Sequence, residues 1–197
     1  MKCKKWVCFL MLSLVSITSF NTYAITLENL NQMNGHFIFP QNVLEENEPY
    51  MVIEYNEGTL ENTLKQLGFI KGHENFPKKV KIEGIKILDE EDLKYLRDSF
   101  LGIDLTDTKL ENDILPEEIF AYSQLVEIKL PKTLKEIHQS AFAYSSSLQK
   151  VVLPETLIAI KEGAFIYCSS LVDIHFPVSL KEIGNSAFEG VPLDKIQ

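Results

Sequence analysis

A single pattern, written three times in the last third of the chain, limits its fold more than any other feature. The run Leu125-Val126-Glu127-Ile128-Lys129-Leu130-Pro131 opens a unit that restarts at Leu148 and again at Leu171, a period of 23 residues. Its columns keep their residue type: Ile128, Val151 and Ile174; Pro131, Pro154 and Pro177; Leu134, Leu157 and Leu180; Ile137, Ile160 and Ile183; Phe142, Phe165 and Phe188. A unit this short cannot bury its own apolar face, so only stacking of neighbouring units makes a core.

The order of residues within one unit says how the chain runs. Ile128 and Leu130 are two apart, as residues on one face of a strand must be. Pro131 ends that strand because it has no N–H to give to the ladder. Leu134, Ile137 and Phe142 then bring the chain back across the core, and Ala141 leaves room for the adjacent unit. The phenylalanines should stack as a hydrophobic spine.

The preceding residues repeat the theme with longer connections. Tyr50 to Tyr55 has strand composition and Gly58 breaks it; Thr59 can cap a helix whose Leu60, Leu64 and Leu67 share a face, and Gly68 stops it. Val80 to Glu83 is a second strand. Asp89 begins a second helix with Asp92 in its first turn and an apolar stripe of Leu93, Leu96 and Phe100. Ile103-Asp104-Leu105 is a third strand. Strands joined in this way are most easily parallel, with right-handed crossovers. From 106 to 124 no long stripe appears, so a tight turn and an irregular return are expected. The spacing predicts an α/β repeat fold, a right-handed solenoid. About six parallel strands fall near 51–55, 80–83, 103–105, 126–130, 149–153 and 172–176, with a helical N-terminal cap and short coil returns in the C-terminal repeats.

The first 24 residues differ from the rest. Lys2, Lys4 and Lys5 precede an apolar run from Trp6 to about Val15, and Thr22-Tyr23-Ala24 places small residues three and one before a cleavage point, which is the pattern of a cleaved secretory signal. A membrane anchor is the alternative, but Ser16, Thr18, Ser19 and Asn21 dilute the run below the roughly 20 apolar residues that a span needs. Cys3 and Cys8 would leave with the signal, so that Cys168 remains alone and no intramolecular disulfide can form. Without the three signal lysines, 16 basic residues of the original 19 face 28 acidic ones, a net charge of −12. Such a surface repels phosphate backbones and argues against nucleic acid as a partner. The expected organisation is a signal peptide over 1–24, an extended lead-in over 25–49 with Phe37-Ile38-Phe39 buried, capping units and an irregular first repeat over 50–124, three regular repeats over 125–193, and a tail over 194–197.

The recurring Leu-x-x-Ile-x-Leu-Pro-x-x-Leu-x-x-Ile-x-x-x-Ala-Phe pattern, followed by turns such as Tyr167-Cys168-Ser169-Ser170, resembles the BspA-like class of leucine-rich repeats. The segment Ile103 to Leu110 is similar to the entry region of such proteins in gut and oral bacteria. The resemblance covers roughly Ile53 to Leu193. It implies a secreted or surface-exposed solenoid associated with adhesion to host proteins and other cells. Fold transfers along such a resemblance better than activity does.

On the strands, the residues between the inward ones should face solvent on the concave side. Asp104, Glu127, Lys129, Lys150, Val152, Asp173 and His175 form the candidate partner-binding ladder, the alternative being an ordinary solvated face whose charges guard against aggregation. His36, His73, His138 and His175 lie in separate segments without metal-ligand spacing, so neither a metal nor another cofactor is expected. Cys168 aligns with Ser145 and Ser123 and reads as a small turn residue. The acidic run Asp89 to Asp92 suits a helix start, where carboxylates meet unpaired N–H groups. No catalytic motif is present. The expected function is non-catalytic binding of a protein or glycoprotein outside the cytoplasm, with no stable membrane span after signal cleavage. Two alternatives stay open: a self-associating structural protein, and an enzyme whose scattered site the sequence does not reveal. The last coil, with Leu171, Ile174, Leu180 and Ile183, is the expected contact if copies associate.

Overall fold

Alternating buried and outward side chains build the first sheet. The computed structural model describes residues 49–73, 76–84 and 86–195. The expected signal peptide and nearly all of the lead-in, with Phe37-Ile38-Phe39, His36, Cys3 and Cys8, lie outside them. Strands β1 (Met51–Glu54), β2 (Lys79–Glu83), β4 (Gly102–Asp104), β7 (Glu127–Lys129), β9 (Lys150–Val152) and β11 (Asp173–Ile174) pair in that order as one parallel, six-stranded sheet. Their inward residues are buried and in register across neighbouring strands, Met51, Val80, Ile103, Ile128, Val151 and Ile174 in one row and Ile53 beside Ile82 in a second. All six strands expected from the sequence are present.

The returns are not plain coil. Each regular repeat contributes a second, two-residue strand: β8 (Glu136–Ile137), β10 (Ala159–Ile160) and β12 (Glu182–Ile183) join β6 (Ile114–Leu115) in a parallel sheet of order β12-β10-β8-β6. Backbone pairing explains it, since Ile158 N–H donates to Lys135 and Lys181 N–H to Ile158, both at 2.8 Å, extending the ladder from one repeat to the next. Two residues are too few to show an alternating pattern, so periodicity could not reveal these strands. A third pair, β3 (Ile87–Leu88) with β5 (Lys109–Leu110), is also parallel.

Strand β6 shows that the repeat begins earlier than its regular columns. Leu115, Phe120, Tyr122 and Ser123 precede Ile137, Phe142, Tyr144 and Ser145 by 22 residues, one short of the period. The phenylalanine spine accordingly has four members. Phe120, Phe142, Phe165 and Phe188 stack with centroids 5.4, 5.0 and 5.2 Å apart and planes within 10°. Beside it, Ser123 and Ser145 are linked at 2.9 Å, Ser145 donates to Phe120 O, and the Cys168 thiol donates to Phe142 O. Burial pushes that thiol up to about 12, which leaves Cys168 an inert packing residue, as the column implied.

Among the described residues, two α-helices occupy the longer connections. The α1 helix (Leu60–Gln66) is capped by Thr59, whose hydroxyl accepts from Asn62 N–H, and buries Leu60 and Leu64. The α2 helix (Glu90–Ser99) is capped by Asp89, whose carboxylate accepts from Asp92 N–H at 2.9 Å, and buries Leu93 and Leu96. Both start where capping chemistry placed them. The buried apolar residues of helices, sheets and returns form one contiguous core.

An ion-pair row joins the helical units to the repeats at the strand ends. Asp107 lies 2.8 Å from Lys132 and 2.9 Å from Lys81. Hydrogen bonds from Lys132 and Lys81 hold its carboxyl at about 2, below its ordinary 3.8. A depressed folded-state value contributes stability that is present above pH 3.8 and is lost as pH falls through about 2. Asp107→Asn is therefore expected to flatten the acid limb of a stability-against-pH curve measured by urea unfolding, and to leave the curve's shape near neutral pH unchanged.

Candidate partner-binding face

The outward residues of the six-stranded sheet form two rows. Register places Lys79, Gly102, Glu127, Lys150 and Asp173 side by side in one, and Lys81, Asp104, Lys129 and Val152 in the other. Charges alternate along each row, and most are satisfied by a neighbour. Lys79 reaches Glu127 at 2.9 Å across Gly102, where a Cβ would come within 2.8 Å of the Lys79 side chain. Glycine at this point lets the two side chains meet. Lys129 pairs with Asp104 at 2.8 Å, and Lys150 with Asp173 at 2.6 Å.

Tyr50 closes the N-terminal half of the face. Its hydroxyl donates to Glu127 Oε1 at 2.6 Å, and the ammonium groups of Lys129 and Lys79 lie 4.7 and 5.5 Å from its ring centroid. Burial, followed by the Glu127 hydrogen bond, holds the phenol above its usual range, so it stays protonated and donating. Asp104, expected at the solvent surface, is only 5% exposed. Burial pushes its carboxyl up, but hydrogen bonds from Lys129 and the Thr106 N–H outweigh this and hold it low. Asp104 is thus a tie within the sheet.

The C-terminal half is open. Val152 is exposed, Lys150 and Asp173 are partly exposed, and the His175 side chain is 76% exposed, with Nδ1 3.6 Å from Asp173. Phe176, in the inward column of Leu130 and Leu153, is exposed at the end of the stack instead, its ring packing edge-on against Phe188 at 5.3 Å. Of the seven ladder residues, Lys150, Val152, Asp173 and His175 therefore lie together on accessible surface, Asp104 and Glu127 lie in the closed half, and Lys129, part-exposed and beside Val152, stands at the boundary.

The other residues singled out in the sequence are separate from this face. Asp92 of the acidic run is buried between the helices, accepting from Tyr55 Oη at 2.9 Å, Leu60 N–H at 3.2 Å and Lys86 Nζ at 2.9 Å. His138 lies 3.5 Å from Glu136 beside a shallow polar depression of about 490 Å3 that Lys161, Glu162 and Glu182 also line. Among the described residues no group of three or more His, Cys, Asp or Glu side chains is placed to hold a metal. No helix among them is long and apolar enough to cross a membrane.

One exposed feature escaped the sequence reading. Tyr122, Tyr144 and Tyr167 stack outside the returns with centroids 5.0 and 5.2 Å apart. All three have positive φ, between 55° and 58°. Their spacing of 22 and 23 residues was available in the sequence, but the Phe column two residues earlier carried the apolar signal.

The comparisons with known proteins agree with this architecture. No curated protein matches the chain. The family model described as the BspA type leucine rich repeat region matches residues 95–197 in 6 copies. The match extends upstream of the three regular repeats into α2 and takes in the shortened repeat found at β6. Repeats of this class serve as protein-interaction modules, and proteins bearing them are typically secreted or surface-exposed. The parallel ladders, the stacked columns and the family model over more than half of the chain lead to one conclusion: the protein belongs to the BspA-type leucine-rich repeat family.

Proposed function

We propose that the protein is an exported, non-catalytic binding module, a right-handed solenoid whose first strand–helix units cap it and whose concave sheet face holds a protein or glycoprotein partner of the adhesion type. One observation carries this reading: the face is divided, with its N-terminal charges neutralised under Tyr50 and its C-terminal residues Lys150, Val152, Asp173 and His175 open. A small apolar centre rimmed by charge is the composition of an interaction surface. Residues 25–197 used as bait on extracellular matrix and cell-surface extracts should retain a partner, and bait carrying Lys150→Ala and His175→Ala should retain less of it. Equal recovery by both baits would remove the sheet face from the reading.

Self-association is favoured by a different observation. On β12, which among the described residues pairs with β10 alone, Ile183 is 54% exposed, and Val178 of the same repeat is fully exposed. Of Leu171, Ile174, Leu180 and Ile183, expected as the contact if copies associate, Leu171 and Ile174 are buried, and Val191 takes the place of Cys168 in its column. What stays open is Ile183 and partly Leu180. Light scattering at rising concentration distinguishes the readings: mass above a monomer that Ile183→Lys abolishes supports association, and a constant monomer mass supports binding of another protein.

A further inference from the structure

The tyrosine ladder ends in a site that the sheet face does not explain. A bulky residue in the left-handed region is strained, and glycine is the residue that takes it without penalty. Gly190 does so one repeat after Tyr167, with φ 76°. The returns also hold Glu118, Ser140 and Ser186 in this region, so the turn admits side chains there, and what it does not require is an aromatic ring at 122, 144 and 167. Stacking accounts for both faces of Tyr144, and Tyr167 lies between Tyr144 and the backbone at Gly190. Stacking accounts for only one face of Tyr122, which packs on Tyr144 with planes 2° apart while the residue is 72% exposed.

Tyr122 also lines a cleft of about 270 Å3 beside the end of α2, where Arg97, Asp98 and Gln124 contribute to the lining. Arg97 is anchored there: Nε donates to Asp98 Oδ1 at 2.7 Å, Nη2 to Asp98 Oδ2 at 3.3 Å and Nη1 to Ile119 O at 3.3 Å. The guanidinium and carboxylate neutralise each other, so the site favours neither a cation nor an anion. What remains is a flat aromatic face with a fixed set of donors and acceptors at its rim. A ring that is apolar on one face and hydroxylated at its edge matches both, with its C–H bonds on the electron-rich tyrosine face and its hydroxyls at Arg97, Asp98 and Gln124. The cleft is smaller than the roughly 300–1,000 Å3 pockets of drug-sized ligands, so it suits a single ring.

The geometry points to a saccharide subsite at Tyr122 that takes one neutral pyranose, separate from the sheet face and independent of whether that face binds a protein. The test is saturation-transfer NMR on residues 25–197 with the methyl glycosides of glucose, galactose, mannose, fucose and N-acetylglucosamine, plus N-acetyl-lysine methylamide as a cationic probe. At least one glycoside should receive transfer at its ring C–H protons, Tyr122→Phe should keep it, and Tyr122→Gly should weaken binding at least tenfold. Gly190 shows that the position accepts glycine, and circular dichroism of Tyr122→Gly checks that the fold survives. Asp98→Asn should weaken binding without touching the ladder. No transfer to any glycoside, transfer that Tyr122→Gly leaves unchanged, or transfer to the lysine probe alone would overturn the proposal.

Discussion

Replacing Phe165 with alanine is expected to lower stability by about 3–5 kcal/mol, the usual result of emptying a large, fully buried aromatic site. The position is extreme within this core because the ring is covered on both faces, by Phe142 at 5.0 Å and Phe188 at 5.2 Å. Neighbouring repeats are held by the backbone ladders of two sheets, so the walls of the cavity cannot collapse onto it. In a domain of this length the loss corresponds to a fall in melting temperature of about 10 °C or more. Urea unfolding checks it: the midpoint should fall sharply, and Phe165→Leu, which keeps most of the volume, should recover much of the difference. A reduced slope as well as a reduced midpoint would mean that the last repeat now unfolds ahead of the others, as expected of a nearest-neighbour array.

The second large effect lies in the helical half. Asp92 is 3% exposed and joins three elements, accepting from Tyr55 of the first strand unit, from the α1 backbone at Leu60 and from Lys86 before α2. Burial pulls the Lys86 ammonium down, but its bonds to Tyr55 and Asp92 outweigh that and hold it above its usual range. Burial likewise pushes the Tyr55 phenol up to about 12, against the opposing pull of Lys86. Asp92→Ala removes the acceptor and leaves a partly buried ammonium, a phenol and a backbone N–H without it, and should cost about 3–5 kcal/mol. Lys86→Met in the Asp92→Ala background should recover part of this, since the unpaired charge is then gone. Asp92→Asn should cost less than Asp92→Ala because a carboxamide oxygen can still accept. A double variant no more stable than Asp92→Ala would show that the ammonium carries none of the penalty.

The six strands of the main sheet were legible because each carries an apolar residue at a fixed place in a repeated unit. Both helix starts were legible because Thr59 and Asp89 are capping residues followed by apolar stripes. The second sheet was not, since its strands are two residues long and paired through backbone groups that leave no trace in side-chain type. The shortened repeat at β6 was hidden by one missing residue, which moves Leu115 and Phe120 out of register with columns counted at 23. At the candidate face, outward placement followed from alternation along the strands. What alternation could not reveal was Tyr50, at the start of the first strand unit, reaching Glu127 in the fourth strand of the sheet and sealing half the ladder. The tyrosine column was missed for another reason: its residues hold left-handed backbone that composition assigns to glycine or asparagine.

The central claim is that this repeat stack presents the open half of its sheet face to a partner protein. It is tested most directly by titrating a partner retained by residues 25–197 against wild type, Val152→Asp and Lys81→Ala in a calorimeter. Val152→Asp puts a charge into the apolar centre of the patch and should weaken binding at least tenfold, and Lys81→Ala, in the N-terminal half of the same row, should change affinity by less than about threefold. Undiminished binding by Val152→Asp, with the folded spectrum retained, would contradict the account.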